Sequence, residues 1–346
     1  MDNQVYTFNV NLDWKLIEFI SQIDRFDAAW ASVERREGQS LKQLKSIATV
    51  RSVGASTRIE GSRMSDDEVE VLLKAIDITK LEDRDSQEVV GYFETLDIIS
   101  EFYPDIDITE SSLKNLHNIL MKYSRKDGWH KGDYKQHAND IEASYPDGTK
   151  QIIFQTTEAG FPTQDAMRGL IDWFITDNTT HPLVKCAVFA YEFVSIHPFQ
   201  DGNGRLSRLL STLLLLKHGY KWIQYVSFEH EIESRKSEYY RILRSCQAQR
   251  PAENVSEWVI FFFDALKNIQ GQLMKKLEVK GFENQSSPRE KAIITFIGNY
   301  PGCKSGDIAK KLGIPGPTVK RILPELIKKR LIEKHGTGPG TNYSTV

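Results

Sequence analysis

Cysteine is scarce: three residues, Cys186, Cys246 and Cys303, stand far apart in a chain of 346. None has a neighbour at metal-type or redox-type spacing, which argues against a disulfide scaffold and a structural zinc site. Long apolar runs are missing as well. The longest, such as Val259 to Phe263 with Trp258 before it, fall far short of the ~20 residues a membrane span needs. The start, Met1-Asp2-Asn3-Gln4, shows no basic segment followed by an apolar stretch, so no signal peptide is read there. Nor is there a large excess of one charge: 45 Lys and Arg face 47 Asp and Glu, a formal net charge of −2. A polybasic nucleic-acid coat and an acidic tail protein are both disfavoured. No internal repeat or low-complexity tract is seen. These absences point to a soluble protein of a reducing compartment, cytoplasmic and without a membrane partner.

What is present is an ordinary globular mixture, 40% apolar and 27% charged, long enough for roughly two domains. The charge is segregated. The segment from Pro288 to the end carries a net +7, leaving −9 for residues 1–287. Helical spacing of apolar residues predicts helices over Leu41 to Val53, Asp66 to Ile76, Gln87 to Ser100, Thr109 to Met121, Gln164 to Phe174 and Leu183 to Val194. Another is expected to start within Gly202-Asn203-Gly204, run to Leu216 and stop at Gly219. The stretch Asp133 to Phe161 has no helical period. Its Tyr145-Pro146-Asp147-Gly148 turn signal, followed by Ile152-Ile153-Phe154-Gln155-Thr156, predicts a hairpin or flap. Glu278 to Pro288 turns polar and reads as a linker.

One segment concentrates chemistry: His197-Pro198-Phe199-Gln200-Asp201-Gly202-Asn203-Gly204-Arg205-Leu206-Ser207-Arg208. It sets a histidine and a carboxylate just before a glycine-rich helix start, and two arginines just after it. Gly202 and Gly204 allow backbone conformations in which successive N–H groups converge on an anion, and the helix N-terminus adds its unpaired donors. Arg205 and Arg208, three apart, share a helix face and can fork onto phosphate oxygens. Asp201 is a hard oxygen ligand suited to Mg²⁺, and His197 can act as a general base. Each of these residues alone is more often a loop histidine, a turn or a solvated charge; their joint occurrence describes a polyphosphate site with a base beside it. No strand precedes the glycines, the third glycine of a dinucleotide fingerprint is replaced by Ser207, and no Walker-type sequence occurs, which disfavours Rossmann and P-loop readings. Spacing leaves open which phosphorus is attacked.

HPFQDGNGRLSR resembles the Fic family signature HxFx(D/E)GNGRxxR, matched at every defining position, and the helices from about Ser111 to Leu266 resemble the Fic core. The resemblance implies transfer of AMP from ATP to a Ser, Thr or Tyr hydroxyl of a target protein, or of the chain itself, although kinase-like and phosphocholine-transferring variants use the same parts. On this basis His197 deprotonates the target hydroxyl and Asp201 holds Mg²⁺. The backbone of Gly202, Asn203 and Gly204, with the Asn203 side chain, cradles the α- and β-phosphates, Arg205 binds the β-phosphate and Arg208 the γ-phosphate. Tyr239 is assigned to pack on adenine, with Gln247 as a polar contact nearby; the competing reading is that the tyrosine fills the core. Gln151, Ile152 and Ile153 resemble the flap that clamps a target segment by strand pairing, with a plain surface hairpin as the alternative.

Ser56-Thr57-Arg58-Ile59-Glu60-Gly61 resembles the family's inhibitory motif (S/T)xxxE(G/N). Ser56 and Glu60 sit four apart, and a carboxylate brought to Arg208 would occupy the arginine needed for the γ-phosphate. Downstream, helices over Arg289 to Gly298, Ser305 to Leu312 and Pro317 to Lys329, with wing strands at Leu331 to Lys334 and Asn342 to Ser344, look like a winged helix-turn-helix with Thr318, Lys320 and Arg321 facing outward. Pro324 is read as interrupting the third helix. The net +7 suits phosphate contacts, and binding of a protein is the alternative. The expected fold is thus mainly α: a Fic-type helical bundle with a short β-hairpin flap (109–280), an N-terminal helical region with the inhibitory motif (1–108), and a C-terminal winged helix (288–346). Expected partners are ATP with Mg²⁺, a hydroxyl-bearing target protein, DNA or protein at the tail, and a second copy in a homodimer. A nucleotide-sensing DNA-binding regulator and a de-AMPylating hydrolase are the competing functions.

Overall fold

The computed structural model describes residues 8–78, 81–126, 129–144, 149–285, 287–329 and 331–345, and the chain divides into two compact units, Met1–Met274 and Lys275–Val346. The first unit is helical: α1 (Trp14–Arg36), α2 (Gly38–Ile59), α3 (Asp66–Lys74), α4 (Arg84–Phe102), α5 (Glu110–Leu120), α6 (Phe161–Thr176), α7 (Pro182–Ile196), α8 (Asn203–Lys217), α9 (Phe228–Ser234), α10 (Lys236–Gln247) and the part of α11 (Ser256–Gln285) up to Met274. Among the described residues of this unit, β1 (Ile141–Ser144) and β2 (Lys150–Phe154) are the strands and pair antiparallel.

The centre is α7 packed on α8. Both are buried nearly all round: Leu183, Ala187, Phe189, Phe193 and Ile196 of α7 meet Leu206, Leu209, Leu210 and Leu213 of α8, each fully or almost fully excluded from solvent. A side chain so buried contributes about 1.5–3 kcal/mol, so this pair fixes the loop between them on the most stable part of the unit. α2 packs on α4 and α9, and α4 also on α5 and α8. The region 1–108 thereby lies in the same compact unit as the helices that follow it, with the C-terminal end of α2 brought to α8.

Local signals explain most boundaries. Ser65 accepts from the Glu68 N–H while Glu68 reaches back to Ser65, a capping box opening α3. Thr109 caps α5 by accepting from the Ser112 N–H. α8 begins directly after Gly202, which is at φ +79°. Three expectations are corrected. α1, whose buried stripe is Leu16, Phe19, Ile23 and Trp30, goes unread in the sequence. The strand expected over Ile152–Thr156 lies at Lys150–Phe154, and the turn at 145–148 falls outside the described residues. Glu278–Pro288 is not a linker throughout, because α11 continues to Gln285. Polarity alone does not end a helix.

The second unit contains α12 (Pro288–Asn299), α13 (Ser305–Leu312), α14 (Gly316–Lys328), and the antiparallel pair β3 (Ile332–His335) and β4 (Asn342–Thr345). Ile293, Ile297, Ile308, Val319, Ile322, Leu326, Ile332 and Tyr343 form its core. This is the expected winged helix arrangement, with one correction: Pro324 lies inside α14 without ending it. Lys320 and Arg321 are exposed and Thr318 is half-buried.

Candidate active site

The turn between α7 and α8 carries His197. It caps α7 in the left-handed region at φ 55° and ψ 57°, and among the described residues it is the one non-glycine with positive φ. Such a conformation costs a side-chain-bearing residue about 1–2 kcal/mol. The imidazole Nδ1 lies 3.2 Å from the Val194 carbonyl. A carbonyl only accepts, so Nδ1 carries the proton and Nε2 keeps the lone pair. Burial, with Lys135 nearby, pushes the imidazole down to about 4, against the opposing pull of Glu60 and Asp201. At neutral pH His197 is therefore uncharged and able to accept a proton at Nε2.

Directly beyond it the chain turns through Gly202 into the start of α8. Asn203 Oδ1 accepts from the Phe199 N–H at 2.8 Å and Asn203 Nδ2 donates to the Phe199 carbonyl at 2.6 Å, which closes the turn and aims the first amides of α8 outward. The Asn203 side chain is thus occupied by the turn itself. A Cβ on Gly202 would meet Met121 Sδ at 3.1 Å and His117 Nε2 at 3.4 Å, so both the conformation and the space require glycine. Arg205 is 2% exposed, and its Nε and Nη1 make no protein hydrogen bond. Its neighbours are Asp201 Oδ1 at 3.4 Å and Glu88 Oε1 at 3.3 Å. A buried guanidinium with unused donors is a site waiting for anion oxygens.

Asp201 accepts from the Gly202 N–H at 2.6 Å. Burial raises its carboxyl, but Arg205 and that N–H outweigh burial and hold it below the usual carboxylate range. Its side chain remains 41% exposed. No group of three or more candidate ligands is found among the described residues. An ionised, partly exposed carboxylate is the kind of oxygen donor that Mg²⁺ takes.

Arg208 is differently placed. Its Nε donates to Ser56 Oγ at 2.8 Å, and Nη2 donates to the Ser56 carbonyl at 3.0 Å and to Glu60 Oε1 at 2.8 Å. Burial pushes the Glu60 carboxyl up, but the Arg208 charge and hydrogen bond outweigh it and keep the group ionised. Glu60 is the C-cap of α2, one position past the helix. Its Oε1 would be 2.4 Å from a Cβ on Gly204: glycine at 204 lets the carboxylate lie against the first turn of α8.

The other expected residues divide. Tyr239 is 3% exposed, with Tyr240, Trp258 and Phe261 around its ring at centroid distances of 5.1, 5.4 and 6.0 Å. It is part of an aromatic core and offers no open face to a base; the half-buried ring at this place is Tyr240. Gln247 is buried and donates to Ser195 Oγ at 3.0 Å. It lines, with Arg250 and Pro251, a groove of about 580 Å³ whose other wall is Ile152, Ile153, Phe154 and Gln155, so it faces the flap. In the flap Glu142 pairs with Ile152 and Ala143 with Gln151, and a bulge leaves Ile153 without a register partner. Among the described residues, β1 and β2 form a sheet of two strands.

Sequence reasoning missed His117, Glu88, Lys135 and Asn139. The Gly132 N–H donates to His117 Nδ1 at 2.9 Å, so Nε2 bears the proton and donates to the Asp201 carbonyl at 3.0 Å. The ring is stacked on Phe199 at 3.8 Å. Buried polar residues in an amphipathic pattern carry no one-dimensional signal; a His within the apolar stripe of α5 is the nearest to one.

Residues 107–215 match the Fic/DOC family model, and residues 287–340 match the MarR family model. The protein adenylyltransferase Fic of Drosophila sechellia is 24% identical over 231 residues, covering 65% of this chain. The chain spans 42% of that relative's length. A Fic family protein from Desulfovibrio desulfuricans G20 shares the fold with a TM-score of 0.65 at 22% identity, covering 99% of this chain and 98% of that one. A Fic domain containing signaling protein from Bacteroides thetaiotaomicron aligns with a TM-score of 0.61 at 22% identity, over 74% of this chain and 96% of that one.

Proposed function

Because this chain carries a Fic/DOC family domain followed by a MarR-type winged helix, we propose that it transfers AMP from ATP to a hydroxyl side chain of a target protein and that Glu60 restrains the transfer. The observation that carries the reading is the unequal state of the two arginines. Arg205 is buried with unused donors beside the glycine-rich start of α8, whereas Nε and Nη2 of Arg208 are taken by Ser56 and Glu60.

In this reading the amides of Gly202 to Gly204 and the Arg205 guanidinium hold the α- and β-phosphates. His197 Nε2 takes the proton of the target hydroxyl, whose oxygen forms a bond to the α-phosphorus. The bond from that phosphorus to the bridging oxygen breaks, and pyrophosphate leaves. Mg²⁺ on Asp201 would neutralise phosphate charge. An edge of the flap would take the target segment as an added strand, and the groove toward Gln247 and Arg250 would accept its side chains. Glu60 repels a γ-phosphate directed at Arg208, so ATP is held in an unproductive pose until α2 shifts.

Mass spectrometry of the protein incubated with ATP, Mg²⁺ and candidate targets tests this. Glu60→Gly is expected to raise AMP incorporation at least about 10-fold, since one repulsive contact in a dry site is worth several kcal/mol. His197→Ala in that background is expected to abolish incorporation. Equal incorporation by wild type and Glu60→Gly defeats the restraint. For the tail, the MarR family match, the net +7 and exposed Lys320 and Arg321 favour contact with DNA. Duplex affinity should fall steeply with salt, with a log–log slope of about −0.9 per phosphate contacted; no shift of any duplex at low salt counts against it.

A further inference from the structure

We propose that Lys135 and Asn139 are positioning residues that hold the base-bearing turn 196–199 in its left-handed conformation and tie it to both feet of the flap. The inference rests on the AMP-transfer reading for its catalytic consequence.

The turn's carbonyls are held one after another. Lys135 Nζ donates to the Ile196 carbonyl at 3.1 Å, Asn139 Nδ2 to the His197 carbonyl at 3.1 Å, the Lys135 N–H to the Pro198 carbonyl at 2.8 Å, and Asn139 Nδ2 again to the Phe199 carbonyl at 2.7 Å. Four consecutive carbonyls thus take their donors from two residues of one short segment. A non-glycine residue at positive φ persists only where its surroundings over-determine it, and this is the over-determination His197 has.

The same two residues reach the flap. Lys135 Nζ donates to Thr156 Oγ1 at 2.9 Å and to Asn139 Oδ1 at 2.8 Å, and Thr156 Oγ1 donates to Asn139 Oδ1 at 2.8 Å. Thr156 stands two residues past the end of β2. Its N–H donates to Asp140 Oδ1 at 2.9 Å, and Asp140 immediately precedes β1. One buried cluster therefore joins the two strand feet to the turn.

Packing alone does not account for a lysine here. Lys135 is 1% exposed, its ammonium is bonded to a carbonyl, an amide oxygen and a hydroxyl, and burial pushes it down to about 8. An apolar side chain of similar volume would fill the space without the desolvation cost. The charge also acts on the base. The charged groups facing His197 are Lys135, which favours the neutral imidazole, and Glu60 and Asp201, which favour the protonated one. Removing the Lys135 charge leaves burial alone to oppose the Val194 hydrogen bond and the two carboxylates.

The test uses the full chain with Glu60→Gly as parent. Lys135→Met is expected to lower the rate constant of AMP incorporation about 10²-fold, as a misplaced reacting group does, with ATP affinity within about twofold because the α8 cradle is untouched. An NMR titration of the His197 imidazole, made without ATP or target, is expected to move upward by about one pH unit. Asn139→Ala keeps the Lys135 charge and frees the His197 carbonyl; it should lower the same rate constant about 10-fold with little movement of the titration. Incorporation and titration in Lys135→Met both matching the parent overturn the proposal. If that variant does not fold, Asn139→Ala decides: a rate within twofold of the parent overturns it. Absence of AMP transfer in the parent itself defeats the transfer reading, while the imidazole titration still decides the role of Lys135.

Discussion

The turn at 196–202 and the paired flap strands at 141–144 and 150–154 are built on opposite plans. In the turn, buried side chains grip the carbonyls of Ile196, His197, Phe199 and Asp201, and the elements on both sides are the most buried of the unit. In the flap, Gln151 and Ile152 are exposed, the sheet has two strands among the described residues, and one bulge between Ile141 and Glu142 shifts the register. The difference suits the work each would do in the proposed AMP transfer. Proton abstraction and phosphate binding need groups fixed to a fraction of an ångström. Strand addition needs free N–H and C=O groups and little else.

Substitutions in the two regions should therefore differ in size and in the parameter they move. Gly202→Ala places a methyl group against Met121 and His117 at a positive φ. In the Glu60→Gly background it should cut AMP incorporation by about 10²–10³-fold, comparable to losing an oxyanion donor; a loss under tenfold would show that the cradle tolerates distortion. Ile153→Pro should raise the KM for a protein target about tenfold by removing one backbone donor and obstructing strand addition, with ATP affinity unchanged. An equal loss of ATP affinity would place the flap in the nucleotide site. Ile152→Ala keeps the backbone groups and should alter the target KM by less than about threefold, since one exposed side chain is worth at most ~0.5 kcal/mol. A larger effect, read in the same assay, would show that the flap selects side chains.

Legibility in the sequence followed the same division. The motif from His197 to Arg208 is contiguous, so its residue types and spacing already describe a cradle, and the helix from Asn203 to Lys217 was legible from Gly202 and Gly219 as its punctuation. The winged helix was legible because each of its helices has a narrow apolar stripe. Pro324 misled, because a proline inside a helix is tolerated where its side faces solvent, and it is exposed here. Tyr239 was one of two adjacent tyrosines on α10, and the choice between them depends on rotation of that helix against Trp258 and Phe261, which no local pattern encodes. Lys135 and Asn139 were invisible because they lie in an aperiodic stretch and act on carbonyls some sixty residues away.

The sequence by itself determined which groups are gathered: a histidine, a carboxylate, two glycines and two arginines packed into twelve positions, a set that can converge on a polyphosphate through local backbone geometry. It also determined the charge division, an acidic body and a basic tail. Only the tertiary structure decided which of those groups are free. Ser56 and Glu60 reach Arg208 across some 150 residues of chain, leaving Arg205 with unused donors, and burial beside Lys135 makes His197 a neutral base. Hydrogen-bond engagement and desolvation depend on what is packed in three dimensions, and a residue's type and spacing do not carry that information.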